Sequence, residues 1–147
     1  MSSTALERLA VALAAAVLLC SCSGMPRREP LYVQLGGEAG ITNVISRMLD
    51  RVAADPRTAR SFKGVRLSYL KKSVSAYICK IADGPCVYEG ETMVNAHADL
   101  DNTGSEFDVL VQTLREELDA AGVGNAAKNE LLRRLAPSRR DIVRGTE

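Results

Sequence analysis

The sequence predicts an all-α fold, and three observations carry that prediction. Apolar residues recur at offsets of three and four rather than two through most of the chain. Leu, Ala, Glu and Arg, all good helix formers, dominate the composition. Aromatic residues are scarce, with two Phe, four Tyr and no Trp, and no Asn-Gly or Asp-Gly turn separates alternating strands. A length of 147 residues suits one domain, and 46% hydrophobic residues supply one core.

Leu31 to Leu35 is a short amphipathic opening that ends at Gly36-Gly37. The spacing of Ile41, Val44, Ile45, Met48, Leu49 and Val52 predicts the next helix. Ala53-Ala54-Asp55-Pro56 stops it, because the residue before a proline is pushed out of the helical region. Leu67, Leu70, Val74, Tyr77, Ile78 and Ile81 predict a second helix, ended by Asp83-Gly84-Pro85. Met93, Ala96, His97 and Leu100 predict a shorter one. Asn102-Thr103-Gly104-Ser105 reads as a loop, with Ser105 as N-cap of a helix that begins near Glu106. Phe107, Leu110, Val111, Leu114 and Leu118 form its apolar stripe, and Ala121-Gly122-Val123-Gly124 ends it. Ala126 to Val143 makes the last helix, bent or restarted at Pro137.

Charge and composition exclude several functions. Nineteen basic residues balance eighteen acidic ones, and Arg133-Arg134 and Arg139-Arg140 read as the solvated face of the last helix, so no nucleic-acid partner is expected. The single histidine, His97, rules out any site built on several histidines. A hydrolase using His97 with Ser and Asp lacks a nucleophile-elbow motif.

Leu9 to Leu19 is an unbroken apolar run of eleven residues preceded by Arg8. Spanning a membrane takes ~20 apolar residues, so the run fits the hydrophobic part of an export signal instead. Leu19-Cys20-Ser21-Cys22 resembles the lipobox of bacterial lipoproteins, with Cys22 the better lipid acceptor because small Ser21 precedes it. The expected organisation is a signal and lipobox over 1–22, a tether over 23–30 and one domain over 31–147. An exported protein, periplasmic or held on a membrane by its lipid, is the corresponding expectation. An oxidising compartment permits a disulfide between Cys79 and Cys86, which bracket the Asp83-Gly84-Pro85 turn; two separate thiols, one of them buried, is the other reading.

In order along the chain, the landmarks resemble group I truncated haemoglobins. They are Leu31-Tyr32-Val33-Gln34-Leu35-Gly36-Gly37, Asp50 to Pro56, Phe62-Lys63-Gly64, Gly84-Pro85 followed by Tyr88, Gly90, Met93 and His97, then Phe107 and Ala120-Ala121-Gly122-Val123. The resemblance implies a truncated globin fold, a 2-over-2 helical sandwich, holding haem b (iron protoporphyrin IX) with His97 as the iron's axial ligand. It implies that Phe62, Leu70, Val74, Tyr77, Met93, Phe107, Leu110 and Leu114 contact the haem. Met48 and Leu49 would then lie on the distal side, and Lys71 or Lys72 could face a propionate or simply be solvated. Neutral imidazole is a good iron ligand, and Met93 lies one helical turn before His97.

Departures from the family are concentrated on that distal side. The family commonly places Phe-Tyr where Met48-Leu49 stand here, and the tyrosine hydrogen-bonds the gas ligand. A second donor, often Gln or Thr, corresponds to Leu70 or Val74. None of these side chains can donate a hydrogen bond. Tyr77 carries a hydroxyl at a position where the family usually has an apolar Phe. Ser61 replaces one of two phenylalanines, and Asp83 replaces a glycine. The function expected is reversible binding of the diatomic gases oxygen, carbon monoxide and nitric oxide, with any redox partner unspecified. The alternatives are a haem enzyme of nitric oxide or peroxide detoxification and a haem-free interaction domain.

Overall fold

A computed structural model describes residues 29–145. The Leu9–Leu19 run, Cys22 and the tether as far as residue 28 lie outside the described residues. Seven α-helices follow in order: α1 (Leu31–Gln34), α2 (Gly37–Ala54), α3 (Leu67–Ile81), α4 (Met93–Ala96), α5 (Gly104–Ala120), α6 (Asn125–Leu135) and α7 (Arg139–Ile142). Short 3-10 turns stand at Ala59–Phe62 and Ala136–Ser138, and the described residues contain no strand. Among them no helix is long and apolar enough to cross a membrane.

The corner between α1 and α2 is made by Gly36 and Gly37, whose φ angles of 84° and 64° a side chain would strain. Helix α2 is the hub, packing on α1, α3, α5 and the Ala59–Phe62 turn. All six of its predicted apolar positions, Ile41, Val44, Ile45, Met48, Leu49 and Val52, are buried. Each such side chain contributes ~1.5–3 kcal/mol when fully buried. Asp55 is extended (ψ 122°) before Pro56 and ends the helix where the sequence predicts.

Leu31 of α1 and its C-cap Leu35 close the core on one side, with Ile78 and Cys79 from α3, Leu114 and Leu118 from α5, and Ala127 and Leu131 from α6. A void of only about 10 Å³ remains among Leu35, Ile41, Val44, Ile45, Ile78, Leu114, Leu118 and Leu131. Packing there is close, as in any well-formed protein interior. A charged seam flanks this core. Glu117, almost fully buried, accepts from Arg47 at 2.6 Å and Arg51 at 2.7 Å, so α2 and α5 are joined by a buried carboxylate with both oxygens paired.

Two boundaries differ from the sequence expectation. Helix α4 is a single turn that ends at Ala96; His97 (φ −120°, ψ 9°) caps it and Leu100 lies beyond it. Helix α5 begins two residues early, and its N-cap is Thr103 rather than Ser105. Thr103 and Glu106 form a reciprocal capping box: the Thr103 hydroxyl accepts the Glu106 amide at 3.3 Å and the Glu106 carboxylate accepts the Thr103 amide at 2.9 Å. That pair satisfies two otherwise orphaned donors, which a lone Ser105 cap could not do. The last helix restarts at Pro137 as the sequence expects: the turn containing that proline, which cannot donate a hydrogen bond, divides it into α6 and α7.

Asp83 adopts a left-handed φ of 60° at the turn after α3. Arg134 of α6 holds it there, donating to the Ile81 carbonyl at 2.7 Å and to the Asp83 carboxylate at 2.6 Å. A glycine would take this conformation freely; here a short polar side chain and a long cation do so together.

Candidate functional site

His97 Nδ1 lies 2.8 Å from the Met93 carbonyl oxygen. A carbonyl only accepts, so the proton sits on Nδ1 and the Nε2 lone pair is left available. Nε2 makes no hydrogen bond among the described residues. A carbonyl held against Nδ1 in this way fixes both the tautomer and the direction in which Nε2 points.

One helical turn is too short to hold that ring by itself. The approach to α4 is fixed on α3 at two points. Cys79 of α3 is bonded to Cys86, with Cα atoms 5.8 Å apart. Tyr88 meets Tyr77 of α3 edge to face, with ring centroids 5.2 Å apart, and donates its hydroxyl to the Glu91 carbonyl at 2.8 Å. Burial pushes the Tyr88 phenol pKa up. Thr92 then caps α4, accepting the Asn95 amide at 3.2 Å.

Leu70, Val74 and Tyr77 share one face of α3, at offsets of four and three, and are half-buried. Phe62, Met93, Phe107 and Leu110 are half-buried too. The Arg139 guanidinium lies 5.2 Å from the Phe107 ring centroid and pairs with Asp108 at 2.7 Å, tying α7 to α5. Met48, Leu49 and Leu114 lie deeper, at 3%, 2% and 3% exposure, within the core. The predicted site residues therefore fall into two sets, a half-buried apolar set and a fully enclosed one.

Neither set offers a free donor to a small ligand. The Tyr77 hydroxyl lies 3.3 Å from the Ser138 hydroxyl, at the turn between α6 and α7. Lys71 pairs with Asp50 at 2.7 Å, while Lys72 is exposed. Cys22 lies outside the described residues.

The residues present fit a haem. Seven apolar side chains left half-buried, beside a core at 5% exposure or less, are surface that a flat apolar group would cover. His97 supplies a single imidazole with its lone pair free.

A polar clasp on the segment that follows His97 in sequence was not read from the sequence. Arg60, in the Ala59–Phe62 turn, donates to the Leu100 carbonyl at 3.3 Å, the Asp101 carbonyl at 2.9 Å and the Glu106 carboxylate at 2.5 Å. Ser61 donates to the Asn102 side-chain oxygen at 2.9 Å. Burial would push the Glu106 carboxyl up, but hydrogen bonds from Arg60 and Thr103 outweigh it and hold the group below its ordinary value. The Thr103-x-x-Glu106 spacing was the one available signal, and it marks only the capping half of the arrangement.

Comparison with known proteins agrees with this geometry. The group 1 truncated haemoglobin of Tetrahymena pyriformis is 26% identical over 119 residues, covering 81% of this chain and 98% of that one. The group 1 truncated haemoglobin of Nostoc commune is 30% identical over 93 residues, covering 63% and 79%. The crystal structure of the Tetrahymena pyriformis protein in its Fe(III) form superposes with a TM-score of 0.74 at 27% identity, over 79% of this chain and 98% of that one. A 2/2 haemoglobin from Synechococcus with covalently attached haem shares the fold, with a TM-score of 0.73 at 24% identity over 78% and 98%. The family model described as bacterial-like globin matches residues 30–144, everything the described helices span. With that match, the truncated-haemoglobin fold and the ordered landmarks from Leu31 to Val123, the chain belongs to the bacterial-like globin family.

Proposed function

We propose that this chain binds haem b through His97 and reversibly binds diatomic gases, namely oxygen, carbon monoxide and nitric oxide. The observation that carries the reading is the imidazole itself: its Nδ1–H is held by the Met93 carbonyl 2.8 Å away, which leaves Nε2 as the donor to iron. Bound haem would supply an iron with one open coordination position for a gas. Phe62, Leu70, Val74, Tyr77, Met93, Phe107 and Leu110 would cover the macrocycle, and their half-burial supports that role.

Met48, Leu49, Leu70 and Val74 give the gas an apolar, water-excluding surround with no hydrogen-bond donor. Oxygen acquires more negative charge than carbon monoxide when held by a ferrous centre, so this surround favours carbon monoxide retention over oxygen retention. The same lack of donors weighs against oxidative haem chemistry, which needs preorganised polar groups. Export and lipid attachment at Cys22 complete the proposal, resting on the Leu9–Leu19 run and the Leu19-Cys20-Ser21-Cys22 motif.

The test is a haem titration of residues 23–147 beside the His97→Ala variant. Stoichiometric uptake, with a ferrous carbon-monoxide spectrum of histidine-ligated haem that the variant lacks, is the expected result. Equally poor uptake by both proteins would overturn the reading. Intact mass of the protein isolated from a bacterial membrane fraction tests the anchor, which predicts acylated Cys22 at the mature N-terminus.

A further inference from the structure

We propose that Arg60, acting with Ser61 and Asn102, is a positioning residue that sets the orientation of the His97 imidazole. The proposal rests on the reading of His97 as the haem ligand but concerns what holds the ring, with or without haem. Helix α4 ends at Ala96, so His97 begins an irregular segment that runs to Thr103. Such a segment keeps one conformation only where its backbone groups are tied down.

The ties converge on Leu100, Asp101 and Asn102. Arg60 reaches across 40 and 41 residues of sequence to the carbonyls of Leu100 and Asp101. Asp101 is held in a left-handed conformation, φ 45°, that an unsupported aspartate would leave readily. Ser61 takes the Asn102 side chain, and Asn102 is 8% exposed. From the opposite side the Arg144 and Gly145 amides both donate to the Asn102 carbonyl at 3.0 Å. Gly145 packs so closely on the Asp101 carbonyl that no Cβ fits there. The Glu106 carboxylate completes the grip: one oxygen accepts from Arg60 and from the Thr103 amide and hydroxyl, which locks the clasp to the start of α5.

Three separate parts of the chain therefore fix the segment that follows His97. Among the described residues, one arginine bridges two carbonyls of that segment and the Glu106 carboxylate of α5, a geometry suited to a planar, forked guanidinium. Ser61 has a use here: it anchors Asn102.

The single histidine makes the test direct. Nitrogen-15 spectra of the full chain without haem should show one fixed imidazole tautomer, protonated at Nδ1. In Arg60→Ala and Asn102→Ala the two ring-nitrogen signals should move toward each other as the tautomers average. With haem bound, the iron–histidine stretching band should shift and broaden, and haem loss should accelerate by roughly 10- to 100-fold, the range seen when outer-shell supports are removed. Arg60→Lys should fall between wild type and alanine. Arg57→Ala, whose arginine pairs with Asp55 and takes no part in the clasp, should leave all three readouts unchanged. If Arg60→Ala fails to fold, Ser61→Ala removes a single contact and carries the same prediction in smaller measure. Variants that are less stable yet keep the wild-type imidazole spectrum and haem-loss rate would overturn the positioning role. Tautomer averaging in a chain that takes up no haem would support the clasp and overturn only the haem reading.

Discussion

Breaking the Cys79–Cys86 bond is the sharpest test of how the approach to His97 is held. Cys79 is 1% exposed and belongs to the core, whereas Cys86 sits in the segment leading to α4. The bridge closes a loop of sequence separation 7. Chain-entropy arithmetic for so short a loop gives about 2.4 kcal/mol of destabilisation of the unfolded state, which reduction would remove. Released, Cys79 remains a small apolar side chain in its site, so little packing loss adds to that figure. A folded unit of this size unfolds with an entropy that turns about 2.4 kcal/mol into a drop of roughly 10 °C in Tm. The assay is thermal and denaturant unfolding of residues 23–147, with and without a phosphine reductant, with thiols counted by labelling under denaturing conditions. The Cys79→Ala/Cys86→Ala pair should reproduce the reduced protein and be insensitive to reductant. Two free thiols in the untreated, air-oxidised protein would refute the bond. A Tm that moves by less than about 2 °C once both thiols are free would refute the entropic magnitude.

Three further outcomes are expected. Thr103→Ala should cost about 1–2 kcal/mol in denaturant unfolding through loss of the α5 cap, while Ser105→Ala should cost almost nothing. The Glu106 carboxyl is held below its ordinary 4.5 in the fold, so its contribution is present above that value and fades as pH falls through the folded-state pKa; the stability gap between wild type and Glu106→Gln should be full above about pH 5 and close in acid. Val74→Gln, which offers a donor from the half-buried face of α3, should slow oxygen dissociation from the haem-loaded protein by about 10- to 150-fold, with far less effect on carbon monoxide, as read by stopped-flow ligand replacement.

Much of this molecule is legible in its sequence because helix periodicity is a local property. The α2 stripe from Ile41 to Val52 alternates by threes and fours, and all six of its residues are buried. The proline after Asp55 and the Pro137 break act on adjacent backbone, so both boundaries lie where the sequence places them. His97 stands out as the only imidazole, and its relation to Met93 is a single helical turn. Helix α4 is the exception: the apolar spacing of Met93, Ala96 and Leu100 continues past the point where the backbone stops being helical.

What sequence alone determined was the all-α class, the helices with their apolar faces, and one candidate iron ligand, since each depends on residues within a turn or two of one another. Tertiary structure alone decided which of those faces are sealed and which remain half-open. Leu114 lies in the core, although its spacing matches Phe107 and Leu110. It also decided that Tyr77 turns its hydroxyl to Ser138, and that Arg60 holds the segment after His97 across 40 residues of chain. Hydrogen bonds of that reach depend on where the folded chain returns in space, and no periodicity in the sequence encodes the return.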